Sequence, residues 1–126
     1  VRIIIGLSII LLALAATGIR VNHHLAATAG EMDVKFTHIE QAIKQNNWSK
    51  AREQVDSTKK EWEKNKTWWA VVIDHQEIDK IEIALAKIKS YIEVKNTGLS
   101  LGELAMLRQS VEHIPIKEAV SIENIL

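Results

Sequence analysis

Between Arg2 and Arg20 the chain carries no charged side chain, and residues 3–19, IIIGLSIILLALAATGI, form an uncharged run of about seventeen residues. A helix of that length is at the lower limit for crossing the hydrocarbon of a bilayer. Such a rod must be covered on every side by protein or be given to lipid. A chain of 126 residues can build one further core and no more, so membrane insertion through residues 3–19 is the expectation. The amino group and Arg2 precede the run, which favours an amino end in the cytoplasm and the bulk of the chain outside it, although Arg20 on the far side weakens that bias. A cleaved signal peptide competes with this reading. Arg2 would be its positive region, and Ala13-Leu14-Ala15 and Ala27-Thr28-Ala29 are small-residue cleavage sites. A helical pattern that continues past Arg20 without a break favours a retained anchor over residues 1–20, followed by a helical domain over 21–126.

Composition narrows the function classes. Sixteen basic and sixteen acidic residues cancel, so no long-range field gathers a polyanion, and a nucleic-acid partner is not expected. Cysteine is absent, which removes disulfides, thiolate metal sites and thiol nucleophiles together. One proline and five glycines argue for helices joined by short turns and against a sandwich or barrel.

Apolar periodicity supplies the helices. Leu25, Ala29, Met32, Phe36, Ile39 and Ile43 alternate at steps of four and three, so the membrane run flows into a stalk helix that ends at Asn46-Asn47. Ser49 is placed to cap a second helix over about 49–64, with Ala51, Val55, Thr58 and Trp62 as its seam. The local sequence AIKQNNWSKAREQV resembles the helix-turn-helix of a tetratricopeptide repeat, for one hairpin only and with no second copy. Trp62 and Trp69 belong to one seven-residue series and positions 71, 78, 85 and 92 to another, so a break is expected near Asn65-Lys66-Thr67. A third helix then runs from Trp68 or Trp69 to Val94. Ile78, Ile81, Leu85, Ile88 and Ile92, widened by Ala84 and Tyr91, make it the element on which the others pack. Asn96-Thr97-Gly98 ends it, Ser100-Leu101-Gly102-Glu103 has the form of a capping box, and Leu104, Leu107, Val111 and Ile114 form the buried face of a fourth helix that Pro115 closes or bends. The expected fold is all-α: an N-terminal transmembrane helix continuing into a stalk and packed with three further helices as an antiparallel bundle.

Few residues point to chemistry. Asp74, His75, Glu77 and Asp79 are clustered, and His75 and Asp79 lie one turn apart, close enough to share a proton or an ion. Three or four ligands at metal spacing are missing, so these residues are read as polar groups fixing helix register in the core, with neither a metal nor a cofactor expected. His23 and His24 stand at the edge of the apolar run, where they could respond to acid or simply occupy the interface. Trp62 lies on a seam. Trp68 and Trp69 are adjacent and cannot both face inward, so the exposed one is the candidate partner surface. No nucleophile elbow and no glycine-rich phosphate loop is present, and catalysis is not expected.

WWAVVIDHQEID, ELAMLRQSVEHIP and the terminal ENIL, following an N-terminal span, resemble the bacterial domain of unknown function 4363, a family of small single-span proteins. The likeness extends over nearly the whole chain, and Trp69, Asp74, His75, Glu77, Ile78, His113, Asn124 and Leu126 carry it; His113 joins the polar register group on this ground. The resemblance implies a membrane location and a neighbouring multi-span protein of the YetF-like type as partner, and it implies no activity. Val1 fits a GTG start codon read literally. The expectation is a non-catalytic accessory or scaffold protein of the bacterial cytoplasmic membrane, with self-association open. Its rival is a pilin-like subunit assembling through the apolar helix, against which stands the absence of an acidic residue near position 5.

Overall fold

A computed structural model describes residues 1–123, with side chains as far as Pro115. It contains four helices: α1 (Arg2–Lys44), α2 (Trp48–Val72), α3 (His75–Glu93) and α4 (Thr97–Glu123), and no strand among the described residues. Each helix touches its two neighbours in a closed ring, α1 with α2 and α4, and α3 with α2 and α4. Short turns make consecutive helices antiparallel. The expected all-α antiparallel bundle is the observed fold.

The first helix has two halves with different surroundings. At 1.5 Å per residue its 43 residues reach about 65 Å, far beyond the other three. From Leu25 onward its buried stripe, Leu25, Ala29, Met32, Phe36, Ile39, Ala42 and Ile43, is shared with α2 and α4. Before Val21 none of the described residues covers it. Ile3, Ile4, Leu7, Ile9, Leu12 and Leu14 are all exposed, and the helix is long and apolar enough to cross a membrane.

The core consists of the stripes read from spacing. Ile78, Ile81, Ala84, Leu85, Ile88 and Ile92 are buried on α3, and Leu104, Leu107, Val111 and Ile114 on α4. The organising role expected of the third helix is shared, however. α3 lies diagonally opposite α1 and packs on α2 and α4, so the ring rather than one rod holds the core. Ala42 and Ala51 are both buried at the first turn, where their small side chains let α1 and α2 approach closely.

Helix boundaries differ from expectation. α2 does not break at Asn65-Lys66-Thr67; it runs through to Val72. Its seam stays in phase, with Ala51, Val55, Thr58, Trp62 and Trp69 buried and Asn65 holding the intermediate seam position by donating from Nδ2 to the Glu61 carbonyl at 3.0 Å. The break falls at Ile73-Asp74, where the backbone becomes extended and the Asp74 carboxylate caps α3 by accepting from the Gln76 amide at 2.8 Å. Val71, assigned by spacing to the α3 stripe, is instead an outward-facing residue of α2.

The two turns at the opposite end of the bundle share one design. Asn46 and Lys95 each adopt φ 55°, and the amide that follows reaches back across the helix end, Asn47 to the Ala42 carbonyl and Asn96 to the Tyr91 carbonyl, both at 2.9 Å. This closes the last turn in the Schellman manner. The same asparagines then cap the next helix, Asn47 Oδ1 accepting from the Lys50 amide at 3.1 Å and Asn96 Oδ1 from the Leu99 amide at 2.9 Å. Ser49 is therefore not the cap of α2, and Ser100-Leu101-Gly102-Glu103 is not a capping box. Ser100 is buried inside α4 and donates to the Asn96 carbonyl at 2.6 Å, while Glu103 pairs with Lys87 at 3.6 Å. Pro115 lies within α4, which continues to Glu123. Asn124 and Leu126 lie outside the described residues.

Candidate functional site

Trp62, Trp68 and Trp69 lie in the half of α2 nearer the end of the bundle from which α1 emerges. Trp62 and Trp69, two turns apart on the α2 seam, meet edge to face with ring centroids 5.5 Å apart, and both are buried. Such a pair adds to its burial a modest quadrupolar attraction. The Trp62 indole N–H, which burial would otherwise leave unsatisfied, donates to Glu82 Oε1 of α3 at 3.3 Å. Lys66 Nζ donates to the same oxygen. The ammonium and then the indole hold the Glu82 carboxyl below the ordinary value of 4.5, against a partial loss of hydration that pushes it up. Lys66 is raised in turn, first by its hydrogen bond to Glu82.

Trp68 projects to the other side, toward α1. It is half-buried and meets the His24 ring edge to face at 4.4 Å. Of the adjacent pair, Trp69 is the inward residue at 1% exposure. It offers nothing to a partner, and the candidate surface reduces to the outer edge of Trp68.

The polar cluster is not in the core. Asp74, His75, Asp79 and His113 are exposed, and Glu77 is half-buried with Lys80 Nζ donating to it at 3.0 Å. The reason is local: the α3 stripe starts at Ile78, and Asp74 precedes the helical phase because it is the cap, with ψ 139°. Asp74 does fix where α3 begins; His75, Asp79 and His113 face solvent. Among the described residues no three His, Asp or Glu side chains come together at metal-binding distances.

A further partly buried polar contact between elements joins α4 to α1. Arg108 of α4 spans the groove to α1, with Nε 3.1 Å from Asp33 Oδ1, one terminal nitrogen 3.2 Å from Glu40 Oε2 and a further hydrogen bond to Thr37 Oγ1 at 3.3 Å. Glu40 also accepts from Lys44, which is the main cause of its lowered pKa, with Arg108 adding to it. A planar guanidinium suits this forked arrangement. Sequence reading missed Arg108, because its acidic partners lie on a different helix some seventy positions away. It missed the His24–Trp68 contact for the same reason. The 33-position pair of Lys89 with Asp56, at 2.7 Å, is a third example.

A ring of four antiparallel helices, the first overshooting the others by its whole apolar half, defines an all-α bundle with a protruding apolar helix. The candidate site it offers is a surface around Trp68. Residues 19–125 match the family model described as domain of unknown function (DUF4363), and the chain belongs to that family. The match begins where the uncharged run ends, so the bundle is the family's defining part. No curated protein and no solved structure matches the chain.

Proposed function

We propose that the protein is a non-catalytic, membrane-anchored accessory or scaffold subunit, in which residues 3–19 of α1 cross the bacterial cytoplasmic membrane once and the bundle is presented outside the cytoplasm to a membrane or envelope partner. One observation carries this reading: among the described residues nothing covers the apolar half of α1, while the other half of the same unbroken helix is core. Leaving ten large aliphatic side chains in water on a rod of this length is strongly unfavourable, and a bilayer removes that cost. The partner is expected to be a multi-span membrane protein, of the YetF-like kind that the family resemblance implies.

The test is purification of the tagged full-length chain from its own membranes in mild detergent, followed by sizing and mass spectrometry. A multi-span protein at a fixed ratio to the chain, surviving a salt wash, is the expected result. A chain that elutes alone, or as helical filaments, contradicts the accessory role, and filaments would favour the pilin-like alternative.

A further inference from the structure

Both ends of the bundle expose apolar side chains, at different heights along α1. The end made by the two asparagine turns carries Gln45, Asn46, Asn47, Lys95 and Asn96 at its tip, with Val94 and Leu99 exposed beside them. At the other end α2 turns into α3, and Val71 stands 81% exposed beside the half-buried Trp68 and Val72. A single exposed valine is ordinary; its height along α1 is what singles this one out. The His24–Trp68 contact sets the register of two antiparallel helices, so three residues further along each, Val71 is level with Val21. Next in α1 come Arg20 and the uncovered apolar run. With that run in hydrocarbon, the α2–α3 corner lies at headgroup depth, the zone in which an indole with one apolar and one polar side is favoured. The corner is also stiff. Ile73 is buried and Asp74 starts α3 at once, so Val71 and Trp68 are held on a helix and not on a loose loop.

We propose that the α2–α3 corner is a second membrane contact, with Val71 and the outer edge of Trp68 seated in the headgroup layer of the bilayer that α1 crosses. The occupant of this surface is phospholipid. Among the described residues at this end Arg20 stands against Asp74 and Asp79, with Lys66 paired to Glu82 and Lys80 to Glu77; they form no basic cluster, so a zwitterionic surface suffices. The bundle then stands on two feet and does not swivel on α1. The inference rests on α1 spanning the membrane, and the experiment separates the two claims.

Because the chain has no cysteine, single spin labels can be placed without other changes. Full-length Ile10→Cys, Val71→Cys and Val94→Cys variants are labelled in phosphatidylcholine nanodiscs, and collision with oxygen is compared with collision with a water-soluble nickel chelate. Val94 is the matched control, a valine 72% exposed at the far end of α3, roughly 30 Å away. The expected result is an Ile10 label reached mainly by oxygen, a Val94 label reached mainly by nickel, and a Val71 label whose nickel accessibility is several-fold below that of Val94. Val71 behaving like Val94 while Ile10 stays in lipid overturns the corner contact and leaves the span standing. Nickel reaching Ile10 as readily as Val94 overturns the span and the corner together. Adding phosphatidylglycerol should change the Val71 reading less than twofold; protection that appears only with the anionic lipid overturns the assignment to a neutral surface.

Discussion

Trp69 and His75 are six positions apart, and the structure exchanges their expected places: Trp69, one of the two candidates for a partner surface, is buried, and His75, expected as a polar group of the core, is exposed. Trp69 is enclosed against Trp62, so Trp69→Ala is expected to lower stability by about 3–5 kcal/mol, whereas exposed His75→Ala should stay within about 0.5 kcal/mol. Urea unfolding of both variants checks the contrast, and a large effect at His75 would restore it to the core. Glu82 gives a pH test. Its folded pKa lies below 4.5 because Lys66 and Trp62 stabilise the carboxylate, so its contribution is complete above pH 4.5 and is lost as pH falls below that value. The urea midpoint of Glu82→Gln should therefore lie below wild type at pH 7, and the gap should close as the pH is lowered below 4.5. The linked rise in Lys66 acts at the other extreme, where the same gap should narrow only above pH 10.5. A gap independent of pH would mean that the carboxylate is not what the substitution removes. At this scale the sequence was informative about apolar residues and poor about polar ones. Burial follows from periodicity, whereas the partners of Arg108, Trp62 and Trp68 sit on other helices and leave no local signal.

Among the elements, the stripes of α1, α3 and α4 were readable because a buried face repeats every three or four residues. Leu85 is 2% exposed in the middle of one such stripe, and Leu85→Ala is expected to cost roughly 2–5 kcal/mol by thermal or urea unfolding; a loss under half a kilocalorie would remove α3 from the core. Boundaries were harder to read. Asn, Ser and Gly all serve as stops, caps and turn residues, so Ser49 and Ser100 looked as suitable as Asn47 and Asn96, and Asn65 on the α2 seam imitated a break. The turn geometry makes its own prediction. Lys95 is a β-carbon-bearing residue at φ 55°, a conformation that glycine adopts without the steric penalty. Lys95→Gly should raise stability by about 0.5–1 kcal/mol in urea unfolding, and a decrease would show that this turn is not left-handed in solution.

At the scale of the whole molecule, one helix belongs to two environments. Its distal half is locked into the ring by Phe36, Ile39 and Ile43 and by the Arg108 bridge to Asp33 and Glu40, while the apolar run before Val21 is covered by none of the described residues. The overall layout, an apolar rod leading into a four-helix bundle, was legible because length and charge patterning act over many residues and survive local errors. The height of the α2–α3 corner relative to the apolar run was not, since it depends on the His24–Trp68 register. The most direct measurement is alkaline carbonate extraction of membranes carrying the full-length chain, beside an Ile10→Lys, Leu11→Lys double variant. Both positions are exposed, so the charges should leave the helical circular dichroism and melting temperature of the bundle unchanged. Wild type should stay in the membrane pellet and the variant should pass into the supernatant with its bundle folded; release of wild type by carbonate would overturn the membrane span.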